Sequence, residues 1–373
     1  MKALAEFIAW LFGGTFLWSY LLAALISMMA IRHNAAIHRR FARSDTANEW
    51  VSLTYTLLWG AVAGVVGSAA WVLTGMGLTQ QEGLVLWMVS FGFMLAGLAE
   101  YALPLSGAIV SLIGLVAREA FSGGTQAIVF TAVCQCLFGL LLLADGRRDT
   151  AAAVINDPDN GSVGARILSR IWIVPMLGIL GPAADGVLLP VAMPMGMGLT
   201  AHRESLRTII VRRSLFMLVS GGILAAVGIF AAGALWQLPL AALLSAVICA
   251  AGWILERSLA KKAREPWCGM PRRGIRVLDV QTGSIAQKMG LRSGDVLLRI
   301  NGASVMQEIK IDDTLEKVPS MVWVDYEREG RILTGEHTDY ENGISDLGFV
   351  PLARNMDLYM ELVQPSWLWF SRR

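Results

Sequence analysis

Four histidines are the side chains of this 373-residue chain best suited to catalysis or metal binding: His33, His38, His202 and His337. A membrane metalloprotease would need His-Glu-x-x-His on a helix, to hold zinc and position a base. None of the four histidines stands in that frame. A rhomboid-like serine protease would need Gly-x-Ser-Gly with a partner histidine, whereas Ser106-Gly107 follows Pro104-Leu105. The sequence therefore predicts no enzyme, no catalytic residue, no metal site and no cofactor.

A run of strand and turn signals near the C-terminal end favours a binding function instead. Within Gly274–Gly302, a predicted strand is followed by a short helix that Ser284 caps and Gly290 ends. A second strand, Val296–Ile300, then leads into the turn Asn301-Gly302. This order resembles the signature of bacterial PDZ domains. PDZ domains bind an extended peptide, often a free C-terminus, as an added strand beside a helix.

The resemblance implies a set of peptide-binding residues: Gly274, Ile275, Arg276, Val277 and Leu315. By position, Gly274 to Val277 would form the loop whose backbone N–H groups receive the peptide terminus. Ile275 and Val277 would line an apolar pocket, and Leu315 would face them from a helix. The alternative is that Ile275 and Val277 are ordinary core residues, because alternate residues of any strand bury an apolar face.

The composition indicates a membrane protein. The chain is 55% hydrophobic and 16% charged, against about 25% charged in soluble domains. Its mean hydropathy is +0.55. The net charge of +2, with basic residues in short clusters, gives no reason to expect a nucleic-acid partner.

Several apolar segments have about the length that a helix needs to cross a bilayer core of about 30 Å. The segments free of interior charge are Phe7–Ile31, Val51–Leu73, Leu84–Leu98, Ala127–Ala144, Leu215–Trp236 and Leu238–Leu255. Leu105–Ala117 is shorter. Prolines interrupt Ile167–Thr200, which could be one kinked span, a tight helical hairpin or a re-entrant loop. The prediction for residues 1–256 is a polytopic α-helical membrane domain with about seven to nine spans.

Basic loops predict the orientation, because Lys and Arg concentrate in short cytoplasmic loops. The clusters are Arg32, Arg39, Arg40 and Arg43, then Arg203, Arg207, Arg212 and Arg213, then Arg257, Lys261, Lys262 and Arg264. All three face the cytoplasm if Ile167–Thr200 crosses twice, or if one of the two uncertain segments does not cross. The prediction is a multi-pass plasma-membrane protein with its N-terminus outside and its C-terminus inside.

The composition changes after Leu255, where charged residues become frequent and apolar runs become short. We predict a basic linker at 257–265, a small α+β PDZ-like domain at 266–352 and a C-terminal tail at 353–373. About 85 residues are enough for such a domain to fold alone.

Further motifs extend the resemblance over both halves of the chain. They are the end of the first span at Leu21–Leu25, the loop from Arg32 to Glu49, the stretch Arg276–Gly290 and the run Leu347–Val350. With these, the chain resembles the MinJ-like division-site proteins of Gram-positive bacteria, which are polytopic membrane proteins with a cytoplasmic PDZ domain. The resemblance implies an adaptor between a division-site scaffold and Min-system proteins.

These observations predict a membrane-anchored adaptor or scaffold that recruits protein or peptide ligands through a cytoplasmic PDZ domain, in division-site placement. Its expected partners are that ligand, division-site scaffold and Min-system proteins, and membrane lipid. The alternative is a transporter-like or protease-regulating membrane protein with a peptide-sensing PDZ domain. No intramembrane charge pair that would mark an ion path is evident in the sequence, which favours the adaptor.

Overall fold

The structure is a computed structural model. It describes residues 2–13, 15–41, 49–96, 98–116, 125–148, 150–157, 161–180, 187–230, 237–262, 266–281, 283–305, 320–340, 344 and 346–352. Within these ranges a helical region comes first in the chain. A long β-hairpin interrupts it, and a small sheet domain follows.

The helical region contains α1 (Lys2–Phe12), α2 (Thr15–Phe41), α3 (Glu49–Leu73), α4 (Gln80–Leu95), α5 (Ala102–Val116), α6 (Thr125–Asp145), α7 (Leu206–Phe230) and α8 (Gln237–Lys262). Among the described residues, four helical segments are long and apolar enough to cross a membrane: Phe16–Ala36, Glu49–Leu73, Thr125–Asp145 and Leu206–Phe230. Shorter apolar segments are Ala99–Gly114 and Ala242–Gly252.

The first predicted span, Phe7–Ile31, is not one continuous helix. Helix α1 ends at Phe12 and α2 begins at Thr15. The sequence between them is Gly13-Gly14, and each glycine inside a helix costs about 1 kcal/mol relative to alanine. The break therefore falls where helix propensity is lowest.

The segment predicted as a kinked or hairpin helix is a β-hairpin. Strands β1 (Ala151–Asp157), β2 (Gly161–Leu180) and β3 (Leu188–Ala201) form an antiparallel sheet in the order β1-β2-β3. The prediction of helix for Ile167–Thr200 was wrong, although the chain does turn back on itself. The predicted tip, 181–186, lies outside the described residues.

The hairpin accommodates its prolines because their missing N–H groups fall on its outer edges. The Leu177 N–H donates to a side chain on α3 and so points away from β3. Because backbone groups alternate in direction along a strand, the odd-numbered residues of β2 up to Leu177 all direct theirs away from β3. Pro175 is one of these odd-numbered residues, so its nitrogen also points away from β3. Pro190 and Pro194 pair with Leu177 and Ile173, so they also face outward. Proline is tolerated in a strand at such positions, where no ladder hydrogen bond is lost.

Helices α2 and α3 satisfy the outer edge of β2. The hydrogen bonds join Ser27 Oγ to the Ile171 carbonyl at 2.9 Å, Asn34 Nδ2 to the Ser169 carbonyl at 2.7 Å and the Leu177 N–H to Ser68 Oγ at 2.9 Å. Gly60 and Gly64 lie so close to the carbonyls of Ile173 and Pro175 that an added Cβ would overlap them. The edge of the hairpin is thus covered by polar side chains and helix backbone, as an apolar surrounding requires.

A charge pair that the sequence analysis missed lies inside the helical region. Arg170 on β2 contacts the Asp145 carboxylate at the end of α6, with an Nη2–Oδ2 distance of 2.7 Å, and each side chain is at most 3% exposed. The Trp172 indole donates to the same carboxylate at 2.9 Å, and Arg170 donates to Thr56 Oγ1 at 3.0 Å. These bonds join α3, α6 and β2 and offset the cost of burying two charges.

The C-terminal sheet contains β4 (Ile275–Val280), β5 (Val296–Ile300), β6 (Ala303–Ser304), β7 (Met321–Arg328), β8 (Arg331–Thr338) and β9 (Phe349–Leu352). Its order is β8-β7-β5-β4-β9, with β6 paired to β5. A short helix, α9 (Ile285–Lys288), connects β4 to β5 and is capped by Ser284 as predicted. The helix that was predicted to carry Leu315 lies outside the described residues.

The sheet domain packs against the base of the hairpin. Leu278, Val350 and Leu352 share an apolar cluster with Ile167 and the first residues of β1. The Gly164 N–H donates to the Cys268 carbonyl at 2.9 Å. The two parts therefore form a joint interface.

Candidate peptide-binding edge

Strand β4, which carries most of the predicted peptide-binding residues, is an inner strand of the sheet. It pairs with β5 through Ile275 and Arg276 and with β9 through Arg276 to Val280. Ile275 is 2% exposed and Val277 is fully buried, and both belong to the domain core. A strand paired on both sides offers no edge for an added peptide.

Gly274 has a structural role in the fold. Its φ of +75° is one that glycine adopts readily, and an added Cβ would overlap the Leu297 carbonyl. The Arg276 guanidinium is half-buried beside the Gly294 carbonyl. These positions do not support the predicted peptide-binding role of Gly274 to Val277. Leu315 lies outside the described residues, so its role stays a prediction.

One of the two edge strands of the sheet is β9, and the other is β8. In the described part of the chain, β9 pairs with β4 alone. The Gly348 carbonyl accepts from the Gln281 N–H at 2.9 Å. The even-numbered residues of this segment therefore direct their backbone groups towards β4. By strand alternation, Phe349 and Pro351 direct their backbone groups to the open edge. This edge offers the N–H and carbonyl of Phe349 and the carbonyl of Pro351.

The turn before β9 is shaped around Gly348. Its φ is +72°, and an added Cβ would overlap the side chain of Ser284, which caps α9. The Gly348 N–H donates to Asp346 Oδ1 at 2.9 Å. The carbonyl of Leu347 accepts from the Ala286 N–H at 2.8 Å. Together these contacts hold the turn against the start of α9.

Apolar residues hold the same turn from inside. Leu347 is 1% exposed and Ile344 is 3% exposed, and both belong to the core of the sheet domain. Phe349 is half-buried, packs against that core and belongs to the edge strand β9. The Phe349 ring therefore presents apolar surface beside the open edge, which is the surface that a bound side chain would contact.

A second ion pair fixes the sheet on the far side from β9. The Arg328 guanidinium on β7 donates to both carboxylate oxygens of Asp295, at 2.8 and 2.7 Å. Asp295 also accepts from the Arg292 N–H at 2.7 Å. The hydrogen bonds to Asp295 raise the pKa of Arg328 above its usual value. This bidentate pair ties β7 to the turn before β5.

The comparison with known families agrees with this architecture. Residues 276–328 match the PDZ domain family, so the chain contains a PDZ domain. A search of curated proteins finds no match to the chain. The chain thus contains a PDZ domain, a kind of domain that typically mediates protein–protein interaction, preceded by a region with four helical segments long and apolar enough to cross a membrane among the described residues.

The glycine turn before β9 was not among the predicted binding residues, because the glycine before β4 and the glycine before β9 look alike in sequence. Both stand directly before an apolar strand. Only the strand order separates them, since it places β4 inside the sheet and β9 at its edge. The run Leu347-Gly348-Phe349 was the sequence signal that could have pointed to β9 as a candidate binding strand.

Proposed function

We propose that this protein is a membrane-anchored adaptor that recruits a protein partner as a strand added to β9. The observation that carries the proposal is the open edge at Phe349 next to the glycine turn, in a domain that matches the PDZ family. PDZ domains recognise extended segments by backbone pairing at such an edge. The helical region then fixes where the recruited partner accumulates.

Anchoring is supported by the length of the hairpin and of the helices. The 14 residues of β3 extend about 45 Å, more than the bilayer core of about 30 Å. The end of β2 lies beside Leu78, which follows α3, because the Leu78 N–H donates to the Gly178 carbonyl at 2.8 Å. The strands β2 and β3 thus run away from the PDZ domain and back to it. This path is the one expected if the segment Ile167–Thr200 crosses the membrane twice.

A cytoplasmic PDZ domain is supported by the positions of the basic clusters. The end of α2, with Arg32, lies near β1. The start of α7 carries Arg213, which pairs with Glu100, and β3 ends just before it. Trp267, just after α8, donates from its N–H to the His202 carbonyl at 3.1 Å. The described ends of α2, α7 and α8 that border these clusters thus lie toward the PDZ domain, and the positive-inside rule supports placing that end in the cytoplasm.

Orientation can be tested by thiol labelling, but not through the native cysteine of the PDZ end. Cys268 is fully buried, and burial raises the pKa of its thiol to about 11. We expect Ile332→Cys, at a position 69% exposed on β8, to react with a membrane-impermeant maleimide only after permeabilisation. The unsubstituted protein gives the background. Modification in intact cells would contradict the cytoplasmic orientation.

Division-site placement is the specific role we propose, supported by the resemblance of the chain to MinJ-like proteins. A fluorescent fusion of the full chain should concentrate at division sites or poles, and loss of the gene should give filamentous cells or misplaced septa. A uniform distribution together with normal septation would exclude that role. The same fusion, purified from membranes, should bring a partner protein with it if the adaptor function is correct.

The transporter-like alternative has no comparable support. The buried carboxylate of Asp145 is engaged by Arg170 and Trp172, and Arg170 also reaches Thr56. Such a bonded pair favours a structural role over an ion path.

A further inference from the structure

The turn before β9 already holds a carboxylate from its own chain. Asp346 Oδ1 accepts the Gly348 N–H at 2.9 Å, and the Asp346 side chain is exposed. Capture of a free C-terminus uses backbone N–H groups at this kind of turn. A terminal carboxylate arriving here would meet an N–H that is already bonded. It would also lie within a few ångströms of a like charge, which weakens binding about tenfold.

The edge beyond the turn offers few donors. Phe349 and Pro351 are the outward residues of β9, and proline has no N–H. Within the described residues of β9, the edge can therefore donate one backbone hydrogen bond and accept two. Side-chain contacts must supply the rest of the affinity.

We infer, on the basis of the proposed adaptor function, that the β9 edge binds an internal extended segment that carries Lys or Arg beside Asp346, and not a free C-terminus. An internal segment brings no terminal charge to the turn. A cationic side chain satisfies the exposed Asp346 carboxylate with a charge-assisted hydrogen bond. Asp346 is thus the residue that determines specificity at the edge, and Pro351 limits the length of the backbone pairing.

The test uses the full chain in lipid nanodiscs and two synthetic libraries of degenerate ten-residue peptides. One library ends in a free carboxylate and the other in an amide, and the two are otherwise identical. Selected peptides are sequenced and their affinities measured. Asp346→Asn keeps a side-chain oxygen for the Gly348 N–H while removing the charge. Glu327→Gln, at an exposed position on β7, removes the same charge far from β9 and is the matched control.

We expect the unsubstituted protein to select amidated peptides with a basic residue and to bind the carboxylate form about tenfold more weakly. Asp346→Asn should remove the preference for basic residues and the tenfold difference, and Glu327→Gln should leave both unchanged. Pro351→Val, which adds an outward N–H, should strengthen binding of both forms.

Two results would overturn the inference while leaving the adaptor function intact. One is preferred binding of the carboxylate form by the unsubstituted protein. The other is an unchanged preference in Asp346→Asn. If neither library binds the unsubstituted protein or Pro351→Val, the proposed strand addition at β9 is itself wrong.

Discussion

The guanidinium of Arg166 on β2 donates to the carboxylate of Asp279 on β4. The same nitrogen donates to Ser293 Oγ at 2.7 Å. Since β2 continues from this point through the helical region to Leu180, the bond joins the PDZ domain to the longest strand of the hairpin. This bond helps to hold the PDZ domain in a defined position against the hairpin.

Arg166→Ala should therefore loosen the junction between the PDZ domain and the hairpin. Both side chains are about one-fifth exposed, so the expected loss is about 1 kcal/mol. Hydrogen exchange of the full chain should rise in β1 and β4 and stay unchanged in β7 and β8. Arg299→Ala, at an exposed position on β5, is the control. Equal exchange in both variants would show that the bond does not fix the domain.

Gly348→Ala should destabilise the PDZ domain by about 3 kcal/mol, because it combines an unfavourable φ with overlap at Ser284. Gly302→Ala is the matched control: its φ is +80° and no atom lies within 4 Å of the added Cβ. The control should lose only about 1 kcal/mol. Thermal unfolding of the full chain measures both. Similar losses would mean that the turn does not pack on α9 as described.

Asp145→Asn should destabilise the helical region by about 3 kcal/mol, because it removes the carboxylate that pairs with the buried Arg170. The double variant Asp145→Asn, Arg170→Gln removes both charges and should recover most of that loss. Tryptophan fluorescence during heating of the protein in detergent reports the unfolding midpoint. A double variant as unstable as the single one would contradict an ion pair at this site.

Gly60→Ala tests whether α3 contacts the backbone of the hairpin. The added methyl group would overlap the Ile173 carbonyl, and we expect a loss of about 3 kcal/mol. Gly222→Ala on α7 adds the same group where no atom lies within 4 Å. It should be neutral or stabilising by up to about 1 kcal/mol, because alanine favours the helix. Equal unfolding midpoints would place the hairpin elsewhere.

Sequence patterns predicted the helices and the PDZ domain but not the hairpin. A strand buried on both faces is a continuous apolar run, and so is a membrane helix; Ile171–Val174 reads equally well as either. The prolines at 175, 190 and 194 were the distinguishing signal, since outward-facing strand positions tolerate them and helix interiors do not. The buried pair Asp145–Arg170 was missed because both residues lie at the ends of apolar segments, and only the fold brings them together.

The binding edge could be only partly predicted for a related reason. The composition of Gly274–Gly302 identified the kind of domain, but strand order decides which strand is at the edge. Ile275, for which a pocket position and a core position were both open, lies in the domain core at 2% exposure. The pairing of β9 with β4 joins strands that are far apart in the chain, so the local sequence of either strand does not predict it.

The most direct test of recruitment through β9 is site-specific photo-crosslinking in living cells. A photoreactive amino acid replaces Phe349 at the open edge of β9 or, as the control, Ile332 on β8 at the opposite edge of the sheet. The account predicts covalent adducts to a partner protein from position 349 and none from position 332. Adducts from position 332 alone, or equal adducts from both positions, would contradict it.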